Sequence, residues 1–260
     1  MFLLWSSSHS LFGQNRIISL VPSVTQQIYT LNAQDKLVGC TSFCITDTED
    51  NIAIVASAID VNIEKVVLLN PDLIFVSSLV KPQTLETFKQ LGLNVKNIPT
   101  ARDFEELCNY FLMIGNLIDK SEEAEKIIKA HKQRIAELKT KVPGERPQKI
   151  FMEIGAKPLF TVIPNTFMDD YINFVGGVNI ANDMKQGTIT RETVLIRNPD
   201  IIFIVTMGVI GEEETKTWKQ YKNLIAAKRG NIFTLDANIA SVPTPGNFVK
   251  TVETMINMMY

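Results

Sequence analysis

Two glutamates occupy equivalent places in two copies of one sequence motif. The segments IEKVVLLNPDLIFVSS (63–78) and RETVLIRNPDIIFIVT (191–206) begin 128 residues apart and are identical at seven of sixteen positions. Glu64 follows Asn62 by two positions, and Glu192 follows Thr190 in the same way. Because Asn and Thr are favoured helix N-cap residues, each carboxylate is predicted to lie in the first turn of a helix.

Three roles suit a carboxylate in this position. It complements the helix dipole, which contributes about 0.3–1 kcal/mol. A general acid–base pair would need the two carboxyl groups to face each other across roughly 5–10 Å, whereas equivalent corners of two lobes are more naturally far apart. Two exposed carboxylates at a fixed spacing could instead each meet an arginine of a partner protein. The residues alone favour the helix-dipole role and leave docking open.

Other reactive side chains are sparse. The two histidines, His9 and His131, cannot supply a His-rich transition-metal site. Cys40 and Cys44 could form at most one local disulfide, and we interpret them as small packed thiols. Ser23 is a conceivable nucleophile, but neither histidine is placed to activate it. The sequence contains no GxSxG, GxxxxGK or GxGxxG motif, which argues against an enzyme. An α/β enzyme with its active site between two lobes is the alternative from another functional class.

Composition restricts the partners and the compartment. The 260 residues include 26 basic and 28 acidic side chains, for a net charge of −2, and no basic block. This balance argues against nucleic acid as a partner. Residues 1–15 are apolar and Ser-rich, which predicts the remnant of a secretory signal or a disordered tail. No later segment contains the eighteen or so apolar residues that a membrane span needs.

Strands and helices alternate on both sides of a long helical segment. We predict an α/β fold of two Rossmann-like lobes with parallel-rich sheets, joined by one long rigid α-helix. The predicted N-terminal lobe spans residues 16–118, the connecting helix 119–144 and the C-terminal lobe 145–260. About twenty residues without Gly or Pro give that helix a length of roughly 30 Å. A cleft between two such lobes is the default binding site.

The repeated motif predicts one helix-to-strand corner in each lobe. A helix ending near Leu69 leads into a strand over Leu73–Ser78, and a helix from Thr190 leads into a strand over Ile201–Thr206. ITDTEDN (45–51) is predicted to be a polar loop. TWKQYKNLIAAKRG (217–230) is predicted to be one helix.

Six segments together carry a resemblance to a known family. They resemble the helical-backbone class of ABC-transporter substrate-binding proteins, above all its cobalamin-binding and ferric-siderophore-binding members: RIISLVPSVTQQIYTLNAQDKLVGCTSFC, NIEKVVLLNPDLIFVSS, GLNV, FVGGVNIAND, TRETVLIRNPDIIFIV and TWKQYKNLIAAKRGNIFTLD. The resemblance implies a monomeric periplasmic receptor, exported and either free or membrane-anchored. Such a receptor delivers a bulky ligand to an inner-membrane permease and its ATPase, and has no catalytic residues, metal site or cofactor of its own. It also implies that Glu64 and Glu192 form salt bridges with permease arginines.

The resemblance further implies which residues line the ligand cleft. These are Pro22, Ser23, Phe43, Cys44, Ile59, Asp60, Ser77, Ser78, Phe160, Met207, Asp236 and Pro245. Gln26 replaces an acid that is frequent in the family, and the loop 236–245 lacks the basic anchor of some siderophore receptors. An apolar and nearly uncharged cleft suits a large neutral ligand. We therefore favour a corrinoid, most of all cobalamin (vitamin B12), with haem or another iron chelate such as a ferric siderophore as the alternative. A surface sensor or scavenger without a permease also stays open.

Overall fold

The chain folds into two compact units. The structure, a computed structural model, describes residues 16–57, 60–144, 146–206 and 209–260. The first unit contains the described residues up to Pro99 together with Met113–Ala124, and the second contains Thr100–Leu112 and Glu125–Tyr260. The tail at 1–15, with its predicted secretory signal, lies outside the described residues.

The first unit is built on a parallel sheet with the strand order β3-β2-β1-β4-β5. All four strand pairings are parallel, as the alternation of strands and helices predicts. The strands are β1 (Ile17–Ser19), β2 (Leu37–Thr41), β3 (Ala53–Ala56), β4 (Leu73–Ser77) and β5 (Val95–Ile98), and the helices are α1 (Pro22–Thr30), α2 (Ile63–Leu68) and α3 (Pro82–Gln90). β3 is not predicted by the sequence, since it is a four-residue edge strand with only Val55 and Ala56 buried.

A helical hairpin separates the two sheets in sequence. It consists of α4 (Phe104–Leu117) and α5 (Ser121–Lys139), and both helices have residues in each unit. The turn between them is held to the first unit because Lys36 Nζ donates a hydrogen bond to the carbonyl oxygen of Ile118 at 2.8 Å. The chain therefore passes between the units three times, at residues 99/100, 112/113 and 124/125, whereas the sequence predicts a single connection. The predicted domain limits at 118 and 144 stay a prediction.

The second unit contains a mixed sheet with the order β10-β9-β6-β7 and with β8 also paired to β6. β6, β8, β9 and β10 are parallel, and β7 is antiparallel to β6. The strands are β6 (Gln148–Ala156), β7 (Leu159–Thr161), β8 (Gly177–Asn179), β9 (Ile201–Thr206) and β10 (Ile232–Asp236), and the helices are α6 (Phe167–Phe174), α7 (Arg191–Arg197), α8 (Val209–Lys219), α9 (Ile225–Arg229), α10 (Ala237–Ala240) and α11 (Pro245–Met259).

The single helix predicted over residues 217–230 is wrong. The structure has a turn between α8 and α9, in which the N–H of Leu224 donates to the carbonyl oxygen of Tyr221 at 2.9 Å. Trp218 and Leu224 are both buried in the same core cluster. Six residues apart on a continuous helix, their side chains would point about 120° away from each other. The turn lets both side chains enter one core.

The aspartate of the repeated Asn-Pro-Asp triplet ties each corner to the neighbouring strand. Asp72 Oδ2 accepts a hydrogen bond from the N–H of Arg16 at 3.0 Å, and Asp200 Oδ2 accepts one from the N–H of Lys149 at 3.0 Å. In return, the N–H of each aspartate donates to the carbonyl oxygen of the same partner at 2.8 Å. The two corners therefore share a hydrogen-bond pattern as well as a sequence.

The remaining residues of the triplet terminate the helix. Asn70 and Asn198 have φ values of +44° and +46°, in the left-handed region that Asn tolerates at helix ends. The following proline cannot continue a helix, because it has no N–H. At the other end, Asn62 Oδ1 accepts from the N–H of Lys65 at 2.9 Å, and the hydroxyl of Thr190 accepts from a backbone N–H in the same position of α7. Both predicted N-caps are confirmed.

Candidate functional site

The predicted cleft residues of the first unit follow the carboxyl ends of four parallel strands. Parallel strands place those ends at one edge of the sheet, so the segments after β1, β2, β3 and β4 lie along this edge. From β1 the chain builds outward to β2 and β3, and then returns to β4 on the other side of β1. In open α/β sheets, ligands bind where the strand order reverses in this way. The strand order reverses between β1 and β4. Pro22 and Ser23 follow β1 on one side of this point, and Ser77 and Ser78 lie at the end of β4 on the other side.

The polar side chains at this edge are mostly engaged within the unit. Ser23 is buried in the first turn of α1, whereas Pro22 is exposed at its start. Ser77 Oγ accepts a hydrogen bond from the N–H of Leu79 at 3.3 Å. Asp60 Oδ1 lies 2.7 Å from Lys81 Nζ, and both side chains are exposed. The charge of Asp60 is thus balanced locally.

Three exposed apolar side chains dominate the edge. Phe43 is 62% exposed, Ile45 is 78% exposed and Leu79 is 89% exposed. We call these three residues the apolar rim. Phe43 is predicted from the sequence, but Ile45 and Leu79 are not. The available signal was an apolar residue in the loop directly after a buried strand, in TSFCI and VSSLV.

Beside the rim lies an open depression of about 420 Å³. It is lined by Ser42, Ile54, Val55, Ala56, Ser57, Asp60, Val61 and Asn62. Most of its wall comes from β3 and from the loop that leads into α2. Ile59, another predicted cleft residue, lies outside the described residues, as does Met207 of the second unit.

Cys44 lies beside the rim in an environment that favours its thiolate. Thr25 Oγ1 donates to Cys44 Sγ at 3.1 Å, and Thr41 Oγ1 lies 3.3 Å from the same sulfur. A hydrogen bond with Cys40, together with those from the two threonines, lowers the pKa of Cys44 to about 6, although burial opposes the shift. The same contact and burial raise the pKa of Cys40. Both thiols are free, without the disulfide that their spacing would permit.

Two of the predicted residues of the second unit, Phe160 and Asp236, lie near the carboxyl ends of its parallel strands. β6, β9 and β10 are parallel and end at this edge. Phe160 pairs with Gly155 near the end of β6 and is 39% exposed. Asp236 is exposed at the end of β10, and its Oδ1 accepts from the N–H of Asn238 at 2.8 Å. Pro245 is buried in the first turn of α11.

The two repeated glutamates are both exposed and lie in different units. Glu64 is in the first turn of α2, and Glu192 is in the first turn of α7. A hydrogen bond from its own backbone N–H, and then one from the Thr190 hydroxyl, lowers the pKa of Glu192. A carboxyl group with a lowered pKa stays ionised at neutral pH, which suits an ion pair and makes a poor general acid.

A buried acidic cluster anchors α7 in the second unit and was not predicted. Glu153 of β6 is 1% exposed and accepts from Trp218 Nε1 at 2.6 Å. Burial raises the pKa of Glu153 to about 7, and the neighbouring carboxyl group of Glu214 adds to the rise. Arg191, the first residue of α7, forms an ion pair with Glu214 and lies over the Trp218 ring at 4.6 Å. The available signal was an acid within an apolar strand, KIFMEIG.

Two further properties concern metals and membranes. Among residues 16–57, 60–144, 146–206 and 209–260, no three His, Cys, Asp or Glu side chains are grouped so that they could hold a metal ion. Within the same ranges, no helix combines the length and the apolar character that crossing a bilayer requires.

Comparison with known proteins places the chain among solute-binding proteins. Residues 17–239 match the family model described as periplasmic binding protein. The chain is 31% identical over 227 residues to the vitamin B12-binding protein of Photorhabdus laumondii, covering 83% of this chain and 78% of the relative. It is 26% identical over 255 residues to an uncharacterised ABC transporter substrate-binding lipoprotein of Bacillus subtilis, covering 94% and 80%.

The fold is also similar to that of a solved relative. The crystal structure of the periplasmic vitamin B12 binding protein of Vibrio cholerae superimposes with a TM-score of 0.81 at 25% sequence identity, covering 95% of this chain and 96% of that one. The match extends over both units.

Proposed function

The chain belongs to the periplasmic binding protein family, and from this premise we propose that it is the receptor of an ABC importer for a corrinoid, with cobalamin as the preferred cargo. In this role the chain performs no chemistry. It captures the cargo outside the membrane and delivers it to a permease that an ATPase drives. The similarity to a substrate-binding lipoprotein supports an exported protein, either periplasmic or membrane-anchored.

The observation that carries the cargo assignment is the apolar rim. Phe43, Ile45 and Leu79 expose large apolar surfaces at the edge where α/β proteins bind ligands. The acid beside them, Asp60, already has a lysine partner at 2.7 Å. A bulky neutral ligand gains from covering apolar surface, whereas an anionic chelate would need an unpaired basic anchor. The similarity to vitamin B12-binding proteins supports the same choice.

A thermal-shift panel tests the cargo assignment. The purified chain is heated with cyanocobalamin, cobinamide, haemin and two ferric siderophores, each in excess. A ligand at a hundredfold excess over its Kd stabilises the folded state by about 2.7 kcal/mol, so the true cargo raises Tm by several degrees. We expect cyanocobalamin or cobinamide to give the largest shift. If only haemin or a siderophore raises Tm, the cargo is an iron chelate instead of a corrinoid. If no ligand raises Tm and the chain shows turnover in a hydrolase screen, an enzyme is favoured.

For the partner, we propose that Glu64 and Glu192 each meet a basic side chain of the permease. Both carboxylates are exposed, and the lowered pKa of Glu192 keeps it ionised. The test combines Glu64→Ala with Glu192→Ala and measures cargo affinity and ATP-driven uptake in proteoliposomes. Affinity is expected to stay unchanged while uptake falls.

Two exposed glutamates elsewhere supply the control for this experiment. Glu86 lies in α3 of the first unit, and Glu213 lies in α8 of the second. The combination of Glu86→Ala with Glu213→Ala removes the same net charge and is expected to leave uptake unchanged. Equal loss of uptake in both double variants would mean that only the total charge matters. Loss of cargo affinity in the Glu64→Ala and Glu192→Ala variant would instead place these two glutamates in the cleft.

A further inference from the structure

The repeated helices α2 and α7 are seated on their units in the same way. Val66 of α2 and Val194 of α7 occupy equivalent positions, and both are fully buried. Each helix begins after a side-chain N-cap and is followed, within two residues of its end, by an asparagine with positive φ. Equivalent positions of the two helices therefore face the core, or face solvent, together.

The solvent-facing side of each helix carries an aliphatic residue that contacts little of its own unit. Leu68 and Ile196 are equivalent in the repeat, and both side chains are 83% exposed. Each lies four residues after a repeated glutamate, Glu64 or Glu192. Positions i and i+4 share one face of a helix, about 6 Å apart along its axis. Each unit thus presents a carboxylate and an aliphatic side chain side by side.

Internal packing does not account for this arrangement. A single exposed aliphatic side chain is ordinary and needs no explanation. Here the exposure recurs in both copies of a motif that is otherwise only partly identical. Because other residues, Val66 and Val194 among them, make the core contacts of the two helices, a polar residue at the exposed position would cost the unit little. The recurrence of an aliphatic residue points to a contact outside the unit.

We propose that Leu68 and Ile196 are docking residues, which insert into apolar recesses of the permease next to the basic side chains that meet Glu64 and Glu192. This inference rests on the proposed receptor function and extends it from charge to shape. The permease surface then needs two features at each contact. One is an arginine or lysine, and the other is an apolar recess about one helical turn away from it. An arginine suits this pairing, since its aliphatic stem packs against apolar side chains while its guanidinium binds a carboxylate.

The two kinds of contact have different consequences for binding. Exposed carboxylates increase the rate of encounter and fix orientation, and their contribution weakens with salt. A buried aliphatic side chain at the centre of an interface slows dissociation and is insensitive to salt. Docking by both kinds of contact therefore retains part of its affinity at high ionic strength.

The test combines Leu68→Gln with Ile196→Gln in the full chain. Binding to the ABC permease–ATPase complex of the source organism, reconstituted in lipid nanodiscs, is measured by surface plasmon resonance in low and high salt. The matched control combines Leu91→Gln with Val178→Gln, two other exposed aliphatic positions, one in each unit. Cobalamin affinity and Tm are measured for each protein to verify folding.

The expected result is a rise of at least about tenfold in the Kd for the complex, mostly through faster dissociation and equally at both salt concentrations. The control keeps wild-type docking. If the Leu68 and Ile196 variant docks like wild type while the Glu64 and Glu192 variant fails to dock, the inference is overturned and the receptor function stands. If the wild-type chain docks to no ABC permease, the receptor function and the inference both fall.

Discussion

Replacing Glu153 by glutamine is expected to change how the stability of the chain depends on pH. Glu153 is almost fully buried on β6, next to Trp218 and Glu214. Burial raises its pKa from 4.5 to about 7. In the unfolded chain the carboxyl group returns to its ordinary value. Folding therefore binds a proton at this site between those two pH values.

The direction in which stability changes with pH follows from the raised pKa of the Glu153 carboxyl group. Below pH 4.5 the group is protonated in both states and has no effect on the pH dependence. As pH rises towards 7, the unfolded state ionises more readily than the folded state, so the wild-type protein loses stability. Each pKa unit corresponds to about 1.4 kcal/mol, so the total loss above pH 7 is roughly 2–4 kcal/mol. Glutamine cannot ionise, and its side-chain oxygen still accepts the hydrogen bond from Trp218.

The assay is urea unfolding of both proteins at pH 5 and pH 8, followed by circular dichroism. The difference in free energy of unfolding between Glu153→Gln and wild type is expected to shift in favour of the variant by about 2–3 kcal/mol from pH 5 to pH 8. Glu213→Gln, on the exposed side of α8, is the control and is expected to show no such change. If Glu153→Gln and wild type differ by the same amount at both pH values, the pKa of Glu153 is not raised in the folded state.

Three further predictions concern the thiol, the corners and the apolar rim. Iodoacetamide is expected to modify Cys44 with a midpoint near pH 6, and Thr25→Val to raise that midpoint; a midpoint above pH 8 in the wild type would contradict the proposed thiolate. Asp72→Ala and Asp200→Ala are each expected to lower the free energy of unfolding by about 1–3 kcal/mol in urea titrations, and no loss in either variant would contradict the role of these hydrogen bonds at the corners. Leu79→Gln is expected to raise the Kd for cobalamin about tenfold without changing Tm, and an unchanged Kd would remove Leu79 from the cargo site.

Much of the fold could be predicted because local signals agreed with it. The N-caps at Asn62 and Thr190, and the strand at Ile201–Thr206, are found where the repeat predicts them. The two-lobed α/β class and the resemblance to ABC-transporter substrate-binding proteins are confirmed. In each corner the asparagine and proline end the helix, and the aspartate accepts a backbone hydrogen bond from the neighbouring strand. These three residues are therefore enough to predict where each corner lies.

Other features depend on tertiary packing that periodicity does not report. β3 was missed because a short edge strand needs few apolar residues. The break between α8 and α9 serves the burial of both Trp218 and Leu224, and no glycine or proline marks it. The exposure of Leu68 and Ile196 was also hidden, since a helical pattern assigns aliphatic residues to the core by default. The environment of Glu153 was hidden as well, because its neighbours Trp218 and Glu214 lie more than sixty residues away in the sequence.

Which residues contact the cargo remains a prediction. The structure adds two exposed apolar residues to those that the sequence selected. The sequence selected Phe43 together with serines and an aspartate at the strand ends of the first unit, but not the more exposed Ile45 and Leu79. Loop residues after buried strands have no periodic pattern, so their exposure becomes visible only when the sheet edge is assembled.

The capture of an unaltered corrinoid is measured by equilibrium titration of the full chain with cyanocobalamin, followed by recovery of the cobalamin after denaturation. We expect saturable binding of one cobalamin per chain, tighter than that of haemin, with the cargo recovered chemically unchanged. The absence of saturable corrinoid binding, or recovery of a chemically altered corrinoid, would contradict the proposed receptor function.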